Sequence, residues 1–315
     1  MNILFIRGGA LGDLILTLPT LRLVRERWPD AHIEILGHPR LAEFAVNRFY
    51  LNAARSVNHG PLSAFFTPRA VLDPEWMDYI GDFNLVLSYF YDPDGLFEQN
   101  LKKCNPEKVL TYPPRVPDDF GRPAARHFAG MVEPLGLALG NDVASEVFPS
   151  PDDVAGARSF LEGMKPGRRL VAIHPGSGSE TKNWPKEMWA ELGRRLAREV
   201  PGVTLVLIEG EADAEPAEFI AAAWKDVPHV RARLLPLPIL AAVLREVELF
   251  LGHDSGITHL AAAARKELPI VALFSPTDPA VWAPPRAGVR VLRGEPVMAN
   301  IALEEVLKAA REGLS

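Results

Sequence analysis

Ile3-Leu4-Phe5-Ile6-Arg7-Gly8-Gly9-Ala10-Leu11-Gly12-Asp13 decides the fold. The short unbroken apolar run reads as a strand, and the glycines behind it permit a tight turn. Leu14, Leu18, Leu21 and Val24 then recur at helical spacing. His32-Ile33-Glu34-Ile35-Leu36, ended by Gly37, supplies the next strand. Strand, glycine loop, helix, strand is the βαβ unit of a parallel sheet. Phe83 to Leu87 and Val109-Leu110 read as further strands of the same sheet.

The plan restarts at Leu170-Val171-Ala172-Ile173-His174, followed by a Gly/Ser loop and a helix from about Pro185 to Val200 with its proline at N1. Strands recur at Thr204 to Ile208, Leu249 to Leu251 and Pro269 to Phe274. The expected architecture is therefore α/β, with two Rossmann-like doubly wound domains over 1–150 and 151–299. The junction is expected at Phe148-Pro149-Ser150-Pro151. Ile301 to Glu312 reads as an amphipathic helix that fits either domain. Doubly wound sheets bind ligands outside the carboxyl ends of their strands, so a cleft between two facing domains is the expected site.

Composition narrows the function. The chain has 315 residues, 48% hydrophobic and 23% charged, with a net charge of −6, which suits about two globular domains at roughly 100–200 residues each. Its 34 Lys and Arg are spread along the chain, against a nucleic-acid binder with a basic stripe. The single cysteine, Cys104, reads as a plain thiol in a reducing compartment. No apolar run approaches the roughly 18 residues of a membrane span, and Arg7 and Gly8 arrive too early for a signal peptide. The expected compartment is the cytosol, with membrane contact at most peripheral.

The first loop is not the dinucleotide fingerprint, because Ala10 and Asp13 stand where its later glycines belong. Nor does Gly-Lys-Ser/Thr close it as a Walker loop. A carboxylate at the loop mouth would repel a docked pyrophosphate but suits a general base. Its plainer role is to charge or cap the first helical turn.

Three polar loops follow strands of the second half. His174-Pro175-Gly176-Ser177-Gly178-Ser179-Glu180-Thr181-Lys182 offers N–H groups, hydroxyls and a cation that can hold a diphosphate; a surface loop with a solvated lysine is the bland alternative. Gly252-His253-Asp254-Ser255-Gly256 precedes an alanine-rich helix that Asp254 or Ser255 can cap, with the Ser255 and Gly256 N–H groups aimed at an anion. His259 faces the same place or is a locally bonded core histidine; no ligand spacing marks a metal site around it. Thr277, in Ser275-Pro276-Thr277-Asp278-Pro279, can reach a phosphate or a sugar hydroxyl. Their joint occurrence favours an anionic ligand.

These residues resemble glycosyltransferase family 9, the ADP-heptose:lipopolysaccharide heptosyltransferases, over nearly the whole chain. The anchors are Gly9-Ala10-Leu11-Gly12-Asp13 with Thr17-Leu18-Pro19; His174-Pro175-Gly176-Ser177 with Lys182-Asn183-Trp184-Pro185; Asp254-Ser255-Gly256 with His259-Leu260-Ala261-Ala262; and Ser275-Pro276-Thr277-Asp278-Pro279. The resemblance implies a GT-B fold, an acceptor-binding amino-terminal domain, a donor-binding carboxy-terminal domain, and a final helix, 300–315, that returns to the first domain. It implies inverting, metal-independent transfer of heptose or a related sugar from an ADP-sugar, itself a substrate and not a cofactor, to a lipid-linked or oligosaccharide core acceptor. The implied place is the cytoplasm, touching at most the inner membrane's cytoplasmic face.

By position, Asp13 resembles the general base with Gly12 beside it, and Lys182 resembles the lysine on the diphosphate, near Ser177. Asp254 resembles a sugar contact or loop-ordering residue. Ser255 and Gly256 would donate N–H groups, supported by His259, and Thr277 would join them. After Thr204 to Ile208 the turn reads Glu209-Gly210-Glu211-Ala212-Asp213-Ala214-Glu215, so Glu211 and Glu215 are both candidates for the nucleoside. Arg22, Arg25, Arg27, Lys102, Lys103, Arg122 and Arg126 could rim an acceptor site, though a solvated face is the simpler reading of each. A nucleotide-sugar 2-epimerase of the same architecture and a two-lobed binding protein are the rival readings.

Overall fold

β1 (Asn2–Ile6) runs between β2 (His32–Gly37) and β4 (Leu85–Ser88), with β3 (Ala53–Ser56) beyond β2 and β5 (Lys108–Thr111) beyond β4. All four pairings are parallel. The computed structural model describes residues 1–58, 60–162 and 169–315, and the chain divides into two units, Met1–Val143 and Ala144–Ser315. In the first unit Ile3, Leu4, Phe5 and Ile6 are fully buried, as a strand covered on both faces must be. The helix Leu11–Arg27 packs Leu14, Leu18, Leu21 and Val24 inward.

The second unit repeats the design with six parallel strands. β6 (Arg169–His174) adjoins β7 (Val203–Glu209), then β8 (His229–Arg233); on its other side lie β9 (Leu249–His253), β10 (Ile270–Phe274) and β11 (Val289–Arg293). In both sheets the chain winds outward from one strand and then returns to build the other side. The reversal falls between β1 and β4 in the first unit and between β6 and β9 in the second. Ligands of open α/β sheets settle at such switch points, beyond the carboxyl ends of the strands.

Three expectations change. The helix Leu303–Gly313 belongs to the second unit, not the first: Val306, Leu307 and Ala310 are fully buried in its core with Trp189 and Leu196. Arg195 reaches Glu304 at 2.8 Å, and Trp184 Nε1–H donates to the Ile301 carbonyl at 3.0 Å. The amphipathic stripe announces a buried face but not its partner. The unit boundary also falls earlier, at Val143–Ala144; Pro151 opens a helix capped by Ser150, whose Oγ accepts the Asp153 N–H. Pro185 is the N-cap and not N1 of the helix Lys186–Glu199.

β3, β8 and β11 escape the sequence reading, and each is an edge strand. Ala-Ala-Arg-Ser, His-Val-Arg-Ala-Arg and Val-Arg-Val-Leu-Arg bury too little to show an apolar run, and charge on an edge strand discourages pairing with other chains.

Two buried joints carry the second core up to its loops. Gly193 lies under Trp224, whose ring carbons would stand 2.3 Å from a Cβ on that glycine. Trp224 Nε1–H donates to the Ala190 carbonyl at 2.9 Å. His253, fully buried at the end of β9, accepts the Trp184 N–H on Nε2 at 2.8 Å, which leaves Nδ1 to donate to the Gly176 carbonyl at 3.3 Å. Burial holds its imidazole neutral, with the pKa pushed down to about 3.

Gly193→Ala would ordinarily stabilise a helix interior by up to about 1 kcal/mol. Here the ring contact reverses the sign, and the variant is expected to lose about 1–3 kcal/mol, as overpacked cores do. Urea denaturation checks it; a gain in stability would refute the packing. His253 binds a proton more readily unfolded than folded, so its contribution is intact above about pH 6.5 and is lost as pH falls towards 3, by up to about 1.4 kcal/mol per pH unit. Denaturation between pH 7 and 4 should show a shallower decline for His253→Gln, which keeps an acceptor and a donor but does not titrate. Equal slopes would remove His253 as the cause.

Candidate functional site

The loop after β1 is built around one carboxylate. Asp13, in the first turn of its helix, accepts the Ala10 N–H on Oδ2 at 2.9 Å and faces Arg7 Nη2 through Oδ1 at 3.4 Å. The helix-start role is thus realised, and the side chain remains one-third exposed. Gly9 adopts φ +94°, and a Cβ there would stand 2.5 Å from Asp13 Oδ2, so the turn requires glycine twice over. Gly12 occupies the helix turn between Leu11 and Asp13.

Arg7 is the residue the sequence reading passed over. Its side chain is 3% exposed and lies 4.4 Å from the Phe128 ring centroid and 5.1 Å from that of Tyr89. Burial pulls its guanidinium below the usual arginine range, with Asp13 opposing the shift. Nε is buried without a hydrogen bond. A charge directly after a fully buried strand is the signal that could have marked it.

In the second unit the three polar loops converge. Lys182 Nζ donates to Asp254 Oδ2 at 2.6 Å, and Thr277 Oγ1 donates to the same oxygen at 2.7 Å. These residues follow β6, β9 and β10, so parallel winding joins positions separated by nearly a hundred residues. Asp254 is buried, while a quarter of the Lys182 side chain meets solvent. Ser255 caps the helix Gly256–Ala264 by accepting the Thr258 N–H. The Ser255 and Gly256 N–H groups thus belong to a helix N-terminus beside Lys182 and Asp254. His259 is buried inside the first turns of this helix. Ser177 Oγ lies 2.7 Å from Asn183 Oδ1 and 2.8 Å from the Ser179 carbonyl, so it ties the loop to itself.

A buried relay joins this cluster to the turn after β7. Ser255 Oγ lies 3.4 Å from His174 Nδ1, His174 Nε2 lies 3.0 Å from Asp213 Oδ2, and that oxygen also accepts the Gly210 N–H at 3.0 Å. Burial raises the Asp213 carboxyl, but the His174 and Gly210 hydrogen bonds outweigh it and hold the pKa below the ordinary value. A Cβ on Gly176 would stand 1.7 Å from Asp213 Oδ1, so this carboxylate reserves glycine in the neighbouring loop. Asp213 was also missed; its signal is the three-residue spacing from Gly210, that of a residue closing a helix start. Of the two candidate glutamates, Glu215 pairs with Lys186 and Glu211 opens the short turn Glu211–Asp213.

Each residue of the suggested basic rim has a local partner. Arg25 donates to the Pro29, Ala31 and Tyr50 carbonyls, Lys102 pairs with Glu98, Lys103 bonds Asn100, and Arg22 and Arg126 reach the Asp142 and Gly140 carbonyls. Arg27 and Arg122 lie over Trp28 and Phe120. Among the described residues no helix is long and apolar enough to cross a membrane.

Comparison with known proteins bears on the family and the fold. The chain is 25% identical to lipopolysaccharide heptosyltransferase 1 of Pseudomonas aeruginosa over 314 residues, covering 89% of this chain and 80% of that protein. Its fold matches a glycosyltransferase family 9 structure from Veillonella parvula with TM-score 0.81 and 21% identity, covering 99% of this chain and 97% of that one. It also matches the E. coli ADP-heptose LPS heptosyltransferase II with TM-score 0.79 and 18% identity, covering 100% and 98%. The fold is therefore GT-B. Residues 136–308, more than half of the chain, match the model of glycosyltransferase family 9 (heptosyltransferase), and the chain belongs to that family.

Proposed function

We propose that this enzyme transfers heptose, or a closely related sugar, from an ADP-activated donor to a lipopolysaccharide core acceptor with inversion at the anomeric carbon. The observation that carries the reading is the Lys182–Asp254–Thr277 cluster beside the helix N-terminus at Ser255 and Gly256. A cation and oriented N–H groups at the switch point of a parallel sheet suit a diphosphate. The names of the family and of the relatives above supply the sugar, the nucleotide and the acceptor class. Family membership favours transfer over epimerisation or passive binding.

In this reading the acceptor hydroxyl attacks the anomeric carbon, a new C–O bond forms, and the bond from that carbon to the phosphate oxygen breaks. Asp13 takes the hydroxyl proton, oriented by Arg7 and the Ala10 N–H. ADP leaves with the bonding pair, and Lys182 meets the charge that develops on its diphosphate. Asp254 and Thr277 position that lysine. Glu211 and Glu215 are both candidates for the nucleoside, and Glu215 also meets Lys186. The donor is a substrate, and no resident cofactor enters these steps. The reaction is assigned to the cytoplasm, with contact at the membrane face confined to the acceptor's lipid.

Asp13→Asn should lower turnover by about 10²–10⁴, the worth of a positioned general base, while ADP affinity measured by calorimetry stays at the wild-type value. Wild-type turnover would leave Asp13 as a helix-start residue alone. Lys182→Ala should weaken ADP about tenfold to a hundredfold, as loss of a charged hydrogen bond does. Unchanged ADP binding in the same titration would take Lys182 out of the diphosphate site.

A further inference from the structure

We propose that the first unit carries an aromatic subsite beside the Asp13 loop that takes an uncharged sugar ring of the acceptor. The inference rests on the transferase reading above and adds the chemical class of the group bound next to the reacting hydroxyl.

A cavity of about 470 Å³ opens among Val57 and Asn58, which follow β3, Ser63 and Phe66 of the turn Gly60–Phe66, and Phe90 and Tyr91, which follow β4. β3 and β4 lie on opposite sides of β1 in the sheet, so the cavity draws its walls from both flanks of the strand that delivers Asp13. The link to the base is short. Phe90 Cε1 lies 3.4 Å from where a Cβ on Gly8 would stand, and the same construction on the next residue, Gly9, meets Asp13 Oδ2. A Cβ at position 8 would stand in van der Waals contact with Phe90, the wall shared by cavity and loop.

The lining decides the ligand class. Phe66 stacks on the buried Phe97 with ring centroids 4.6 Å apart, and Phe90 lies 5.2 Å from the same ring. The aromatic wall is therefore fixed from behind, yet Phe66 and Tyr91 remain 40% and 71% exposed. Phe66, backed by Phe97 and left facing water beside the exposed Tyr91, gives an apolar surface of the kind that marks a binding face. Among the described residues none that lines the cavity is charged, so a phosphate or carboxylate entering it would find no cation from them to replace its water. A sugar ring fits both features: its C–H face meets the aromatic rings and its hydroxyl edge meets the Asn58 amide and Ser63. Ser63 Oγ donates to the Gly60 carbonyl at 2.6 Å, which leaves its lone pairs to accept. An acyl chain suits the rings but gains nothing from those polar groups, and a position beside the base is where the ring bearing the reacting hydroxyl must be.

The test uses the full chain with three probes: the methyl glycoside of a neutral heptose, the same glycoside carrying a ring phosphate, and laurate. Saturation-transfer NMR and titration should show the neutral glycoside bound by wild type and at least tenfold more weakly by F66A/Y91A, with the phosphorylated glycoside and laurate weaker than the neutral one on wild type. In steady-state assays with a neutral core oligosaccharide, F66A/Y91A should raise the acceptor KM at least tenfold while ADP affinity by calorimetry is retained and kcat is kept, which reports that the first unit with its Asp13 loop is folded. Equal binding of the neutral glycoside by variant and wild type overturns the subsite, as does tighter wild-type binding of the phosphorylated probe or of laurate. Failure of the underlying reading looks different: wild type would then neither bind ADP nor transfer sugar to any acceptor, whatever the glycoside titration shows.

Discussion

A strand buried on both faces can present chemistry only at its ends. β1, β6, β9 and β10 are such strands, and their residues are almost wholly withdrawn from water. In a parallel sheet all carboxyl ends point the same way, so the loops that leave them gather along one rim. Asp13 stands on that rim in the first unit, and Lys182, Asp254 and Thr277 on that of the second. The sheet order adds the remaining condition, because the chain reverses direction of winding beside β1 and again beside β6, leaving space above the sheet at the strands whose loops carry the polar groups.

Holding polar groups at that rim requires charge below it. Asp213 and His174 are buried and satisfy one another, and through Gly210 and Ser255 they bind the turn after β7 to the helix after β9. A partly satisfied buried network would be costly, so each of these groups restricts its neighbours. Gly176 is excluded from bearing a side chain by Asp213, as Gly9 is by Asp13. Arg7 follows the same logic with softer partners: two aromatic faces take most of its surface and one carboxylate takes its charge. The glycines and the buried charges are thus two descriptions of one requirement, that backbone come close to a fixed carboxylate.

How much of this was legible in the sequence follows from the same physics. Strands such as Ile3 to Ile6 and Leu170 to Ile173 are unbroken apolar runs because both faces are covered, and such runs are visible. β3, β8 and β11 lie at edges, where arginines are tolerated and the pattern fades. Lys182, Asp254 and Thr277 were visible as residue types in loops after strands; that all three meet at one oxygen was not, because the meeting depends on the order of strands and not on local pattern. Asp213 and Arg7 were overlooked for the opposite reason. A charge that will be buried looks in sequence like any surface charge, and only its distant partners distinguish it. The helix Leu303–Gly313 shows a further limit: amphipathicity specifies that a face is buried, while the bond from Trp184 to Ile301 and the pair Arg195–Glu304 decide where.

The pairing of Lys182 with Asp254 bears on how an acidic chain can favour a diphosphate. Asp254 would repel phosphate if it stood alone, and a lone lysine would adopt many rotamers. Joined at 2.6 Å, with Thr277 on the same carboxylate oxygen, the two form a nearly neutral unit whose ammonium is already in position. An ammonium has three donors, so one bond to Asp254 leaves others for a ligand. In the proposed reading a diphosphate would add a partner to the lysine without displacing Asp254, which would keep Thr277. The net charge of −6 is then no obstacle, because the field at the rim is set by this unit and by the N–H groups of Ser255 and Gly256 at short range, whereas charges farther than about 8–10 Å are screened by salt.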